Sequence, residues 1–290
     1  MRGLFLALSL CALAACDVPD PAPAERVPSR RVPAVSTLYR YGPVPGQDLR
    51  LFKPSNWRAG QRRPVVVYAH GGAWVAGTAK DLDPMVLELL AAGAVVVSVE
   101  YRLSHPAAVQ AGDLLAAASW VGTNAAKLGA DPSRLFLAGH SAGGHLALLA
   151  GLSEVTNGVP RPAQGIKGVL VAAGPAALDL PDFDPVIMGV RVHDLLASLN
   201  ACPSSPCPPS VLSYLSPARH VDAGDPPVYY VAGGLDPVVP LSQGRDLAET
   251  YRALGMDHRF WFDVVETAEH QPGLGANAVA LRRFLDAPPA

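Results

Sequence analysis

The chain has 290 residues, is half hydrophobic (50%) and sparsely charged (17%), and carries a net charge of −2. That length and apolar content suffice for one large buried core, and a near-neutral balance without a basic stripe excludes nucleic acid as the partner. Small or neutral partners suit it better. In chain order, MRGLFLALSLCALAACD has one basic residue, Arg2, before an apolar run from Leu4 to Ala15. The run is too short for a permanent membrane helix and reads as an export signal over 1–15. Residues 16–36 hold five prolines in DVPDPAPAERVPSRRVPA and almost no large apolar side chains, the composition of an extended tether.

Residues 37–290 read as one α/β domain. STLYRYGP and DLRLFKP form a leading antiparallel hairpin. Apolar, β-branched runs at 63–70, 94–101, 134–140, 168–174, 227–234 and 258–264 predict strands. Helices are predicted over 82–92, 106–128, 142–153, 242–254 and 276–285. This alternation specifies a mostly parallel sheet with helices on both faces. The stretch 175–226 breaks it, being rich in Pro and Asp with only a weak helical pattern around 186–199. A structureless loop of that length is uncommon, so it is read as a small lid inserted over the carboxyl ends of the strands, where open α/β sheets bind ligands. Within it, Cys202 and Cys207 are the one close cysteine pair of the exported domain, and an oxidising compartment favours their disulfide. No grouping of residues calls for a metal or an organic cofactor.

The stretch LFLAGHSAGGHLALLAG takes a strand through Gly139-His140-Ser141-Ala142-Gly143 directly into a helix. It resembles the nucleophile elbow of the α/β-hydrolase fold, in which glycines let strand and helix close on each other while the serine hydroxyl faces outward. His70-Gly71-Gly72-Ala73-Trp74 at the end of the first buried strand is similar to the oxyanion loop of esterases in the hormone-sensitive-lipase and arylformamidase branches of that fold. The resemblance covers roughly 60–286, including Tyr101-Arg102-Leu103 and the stretch from Ser216-Pro217 to Asp236.

It implies a Ser-Asp-His order, filled by Ser141, then Asp236 in VAGGLDPVVP, then His270 in VVETAEHQPGLG. Of the eight histidines, His270 alone has both the order and the loop after the last strand. Backbone amides of Gly72, Ala73 and Ala142, with Gly71 as a further candidate, would hold the oxyanion. Trp74 and His140, next to the nucleophile, are the substrate-binding candidates, a small acyl pocket near Trp74 being what would mark an amide hydrolase of the formamidase type, and Arg102 and Asp113 would be structural. Ala73 replaces a third glycine and the segment before His70 is too short for a helical cap. Both departures point to the arylformamidase and feruloyl- or acetyl-esterase side rather than to a lipase.

The expected activity is hydrolysis of small or medium carboxylic esters through an acyl-enzyme. The alternatives are an arylformamidase-type amide hydrolase using the same triad and a non-catalytic binding protein on the same fold. Leu13-Ala14-Ala15-Cys16 resembles a bacterial lipobox, which implies cleavage before Cys16, its acylation, and a membrane-anchored lipoprotein facing the periplasm or cell exterior. An ordinary secretory signal with a cysteine near its cleavage site is the competing reading.

Overall fold

The structure is a computed structural model and describes residues 36–274 and 277–288. Residues 1–35, on which the expected signal, Cys16 and most of the expected tether fall, lie outside the described residues. The chain begins with an antiparallel pair, β1 (Thr37–Arg40) and β2 (Asp48–Phe52). It then runs β3 (Arg63–Ala69), α1 (Pro84–Ala91), β4 (Val95–Val99), α2 (Ala107–Leu128), β5 (Ala130–His140), α3 (Ala142–Leu152) and β6 (Gly168–Ala172). The inserted stretch supplies a short hairpin, β7 (Val186–Ile187) and β8 (Val190–Arg191), with helices α4 (Val192–Leu199) and α5 (Pro209–Tyr214). The core resumes with β9 (Val228–Gly233), α6 (Leu241–Ala253), β10 (Phe260–Val265) and α7 (Ala278–Asp286).

Eight strands form one sheet in the order β1-β2-β4-β3-β5-β6-β9-β10. From β4 to β10 every pairing is parallel, and β2 joins β4 antiparallel. VVVSV, GVLVA and VYYVAG read as continuous apolar runs because each is buried on both faces. Alternation along the strands divides the core. Val65, Val67, Leu135, Leu137, Val169 and Val171 pack with α2 and α3, whereas Val66, Tyr68, Phe136, Ala138 and Leu170 pack with α1 and α7. Register sets Ala69 beside Gly139 and Gly139 beside Val171, so the carboxyl ends of β3, β5 and β6 lie level with one another.

Most boundaries fall within two residues of those expected. The largest difference is at 186–199, where the helix occupies only the second half. Met188 and Gly189 both have positive φ (55° and 80°), the requirement of a tight hairpin turn with the twist of type I′. With β-branched Val186, Ile187 and Val190 around it, that turn favours a ribbon over a helix at this point. Cys202 and Cys207 are joined by a disulfide.

Candidate active site

Strand β5 ends against the start of helix α3 with no room for side chains between them. A Cβ on Gly139 would lie 2.2 Å from the Gly143 carbonyl oxygen, and one on Gly143 would lie 2.1 Å from that of Ala69. The close approach forces Ser141 to φ 54°, ψ −125°, a conformation that costs an L-residue about 1–3 kcal/mol. Its amide donates to Ala172 O (3.0 Å) and its carbonyl accepts from His145 N (3.1 Å), so the backbone is tied to β6 and α3 while the hydroxyl is left outward.

The hydroxyl meets His270, whose Nε2 lies 2.8 Å from Ser141 Oγ. His270 Nδ1 lies 2.9 Å from Asp236 Oδ2 and 3.1 Å from Oδ1. Asp236 follows β9 and is almost fully buried, its side chain 1% exposed. Burial opposes its ionisation, but the hydrogen bond from His270 and the amides of Val239 and Val238 outweigh that and hold the carboxyl below its usual range. Those two amides reach Oδ1 at 3.0 and 2.8 Å. Asp236 is therefore an ionised acceptor, which assigns the proton on the inner side of His270 to Nδ1 and leaves Nε2 to accept from the serine.

After β3, Gly72 (φ 123°), Ala73 (φ 50°) and Trp74 (φ 63°) bend the chain back. The Gly72 carbonyl accepts from Ala76 N (2.9 Å) and Val75 N (3.1 Å). A Cβ on neighbouring Gly71 would lie 3.3 Å from Ser141 Cβ, which measures how closely this loop passes the serine. Ala142 is the first residue of α3, where amides have no partner inside the helix. The amides of Gly72 and Ala73 make no backbone hydrogen bond among the described residues. His70 stacks on Tyr101 (4.5 Å between centroids, 23° between planes), and the Tyr101 hydroxyl donates to His70 O (2.8 Å). Burial lowers the His70 pKa, and its Nδ1 lies 2.8 Å from Gly71 O, so the neutral ring braces the loop it begins.

A cavity of about 450 Å³ opens over these groups, with Ser141, His270, His140 and Gly71–Ala73 in its wall. Ile187 and Met188 of the β7–β8 turn line it too, which places the tip of the inserted stretch at the site. Trp74 does not line it. Expected to bind substrate, Trp74 is 2% exposed and donates from Nε1 to His145 Nδ1 at 3.1 Å. The turn after Ala73 aims the indole into the core, and a small acyl pocket beside Trp74 is absent from the lining of this cavity. His140 does reach the cavity wall, but its ring nitrogens face His270 O and Asp83.

Two contacts of the site had no local signal. His145, fully buried, accepts from Trp74 and must then donate from Nε2 to Leu215 O (2.8 Å), joining α3 to the oxyanion-side loop and to the inserted stretch. Burial pushes its pKa down to about 4. Asp83, inside the helix expected over 82–92, instead caps α1 through Met85 N (2.9 Å), ahead of Pro84 at the first helical position, and also approaches His140. Arg102 and Asp113 behave as expected: two guanidinium nitrogens reach the buried carboxylate, at 2.7 and 2.8 Å, and Gln47 adds a third donor at 2.8 Å.

A mostly parallel sheet in this order, with a strained serine between β5 and α3, defines an α/β-hydrolase. The BD-FAE family pattern matches residues 49–251, and the chain belongs to that family of hormone-sensitive-lipase-like esterases within the fold. Among its relatives, carboxylesterase NlhH of Mycobacterium tuberculosis is 48% identical over 101 residues, 33% of this chain and 32% of NlhH. Esterase LipQ of the same species is 28% identical over 239 residues, 79% of this chain and 55% of LipQ. The chain thus spans about a third of one and about half of the other. A carbohydrate esterase from gut microbiota, in truncated form, superimposes with a TM-score of 0.72 over 87% of this chain and 95% of its own, at 24% identity. The thermophilic esterase Est2 of Thermogutta terrifontis, in its propionate-bound structure, gives 0.63 over 87% and 91%, also at 24% identity.

Proposed function

We propose that the protein hydrolyses carboxylic esters of small or medium size by attack of Ser141 and formation of an acyl-enzyme. The observation that carries this reading is the unbroken line from Ser141 Oγ to His270 Nε2 (2.8 Å) and from His270 Nδ1 to Asp236 (2.9 Å) at the wall of a cavity. Membership of an esterase family and the carboxylesterase relatives support it.

In the acylation step, Ser141 Oγ forms a bond to the ester carbon as its proton passes to His270 Nε2. Asp236 stabilises the resulting imidazolium without taking its proton. The carbonyl electron pair moves onto oxygen, where the amides of Gly72, Ala73 and Ala142 receive it. Collapse of the adduct expels the alcohol, which takes the proton from His270, and water then repeats the sequence on the acyl-enzyme. A cavity of about 450 Å³ lies within the usual range for small-molecule sites, roughly 300–1,000 Å³, and suits such an ester.

The test is turnover of p-nitrophenyl esters of increasing chain length beside mass spectrometry after an organophosphonate label. Ser141→Ala is expected to lose on the order of 10⁴-fold or more in kcat with an unchanged circular dichroism spectrum. The label should add to Ser141 and require His270. Wild-type turnover in the variant, or labelling at another residue, rejects the assignment.

A further inference from the structure

We propose that His140 is a positioning residue for this reaction: as an imidazolium paired with Asp83, it holds the loop of His270 in line with Ser141. The inference rests on the triad reading above and concerns a residue that the proton path does not use.

His140 ends β5, immediately before Ser141, and is 7% exposed. Its Nε2 lies 2.7 Å from the backbone oxygen of His270, and its Nδ1 lies 3.3 Å from Asp83 Oδ2. A carbonyl oxygen can only accept, and so can an ionised carboxylate. With an acceptor facing each nitrogen, a hydrogen on both satisfies the two contacts, which makes the ring a cation. Asp83 is itself held in place, because its other oxygen caps α1 through Met85 N at 2.9 Å.

The charges fit. Burial works against protonation of His140, but Asp83, with the His270 carbonyl and Asp236, more than offsets it and raises the pKa. Burial likewise opposes ionisation of Asp83, and the hydrogen bonds from His140 and Met85 N prevail to lower it. The other titratable groups facing His140 are Asp236, which favours the cation, and the His270 ring, 5.0 Å away between centroids. His70 and Asp81 share the cavity wall, and no lysine or arginine appears among the described residues lining it.

Helix α1 thereby grips the His270 loop twice. Asp83 acts through His140 on the carbonyl of residue 270, and Glu88 accepts directly from the amide of Leu274. On loss of one proton the Asp83 carboxylate, the stronger acceptor, keeps Nδ1–H and the Nε2 contact to the His270 carbonyl is given up, so the loop loosens at alkaline pH and kcat/KM falls there.

Two measurements on the full chain test this. In long-range ¹H–¹⁵N spectra of the histidine side chains, the resonances that disappear in His140→Gln should show two protonated nitrogens at pH 7. A neutral tautomer there overturns the proposal whether or not the protein hydrolyses esters, so its failure is distinct from failure of the triad reading. In pH profiles of kcat/KM, the wild type should show an alkaline limb. His140→Gln, whose amide can still donate to the carbonyl and does not titrate, should lack that limb and stay within about tenfold of wild type. His140→Ala should lose about 10- to 100-fold, mainly in kcat. Asp83→Asn, which keeps the helix cap, should move the alkaline limb to lower pH. An alkaline limb left in place in both His140→Gln and Asp83→Asn rejects the role.

Discussion

Asp236 shows how much one carboxylate does when it is buried and saturated with donors. It orients His270, and its negative charge is present before any imidazolium forms. Replacing it with Asn keeps the shape but removes the charge and allows the wrong tautomer, so Asp236→Asn should lower kcat by about 10⁴-fold with a small change in KM. Steady-state kinetics on one short-chain ester decide this. The depressed Asp236 pKa also shapes the acid side of the profile. Under the proposed mechanism Asp236 adds no second protonation to the acid limb, so log kcat/KM should fall there with a slope of one as pH decreases. Asp236 remains ionised through that range, because its folded value lies below the ordinary carboxylate value of about 3.9. By linkage, a depressed carboxyl contributes stability above that ordinary value and loses it as pH falls through the folded value. A slope of two near pH 5 would contradict an ionised Asp236.

The elbow and the last helix are where packing controls the site at the scale of elements. Helix α3 can start where it does only because Gly143 lets it approach β3. The atom an added Cβ would strike is the backbone oxygen of Ala69, 2.1 Å away, and backbone cannot swing aside as a side chain can. Gly143→Ala should therefore destabilise the fold by about 1–3 kcal/mol or more and reduce turnover together with it. Urea unfolding and kinetics on the same preparation would show the two effects moving together. Helix α7 follows the His270 loop and is pinned by Phe284, whose ring packs on Phe136, Tyr229 and Trp261 at centroid distances of 6.0, 5.7 and 5.4 Å. Phe284→Ala is expected to cost about 3–5 kcal/mol. A loss below about 1 kcal/mol would mean that α7 is not anchored by this cluster.

At the scale of the whole molecule, His145 gives stability a dependence on pH. It is buried with its pKa pushed down to about 4, whereas an unfolded histidine titrates near 6.5. The folded state binds fewer protons between those values, so stability is full above about pH 6.5 and declines as pH falls toward 4, by about 3 kcal/mol. Melting temperatures across that range should drop in the wild type and flatten in His145→Gln. Equal slopes in the two would remove His145 as the cause. Because His145 bonds both Trp74 and Leu215, the decline should also loosen the inserted stretch against the rest of the domain. The lipoprotein reading belongs to this scale as well, as a proposal: the protein is expected to be exported and to fractionate with membranes, and Cys16→Ser is expected to release it or block its maturation, read by fractionation and N-terminal mass spectrometry.

The amino-acid sequence alone determined those features that depend on neighbours along the chain. Strands buried on both faces show as unbroken Val, Leu and Ala runs, the elbow shows in glycines spaced to spare two backbones from collision, and the order of Ser141, Asp236 and His270 was readable through the resemblance to the α/β-hydrolase fold. The disulfide was legible because its cysteines are close in a loop. Tertiary structure decided what depends on direction across elements remote in sequence. Trp74 belongs to a readable motif, yet three successive positive φ angles turn its indole away from the cavity and into a hydrogen bond with His145. Asp83 falls inside an expected helix, and only the packing of α1 beside the end of β5 sets it against His140. The hairpin at 186–191 competes with a helix on nearly equal local terms, and its tip is placed at the cavity by the fold around it. Local preference specifies which element forms, while side-chain orientation toward a distant partner is fixed only when the two elements dock.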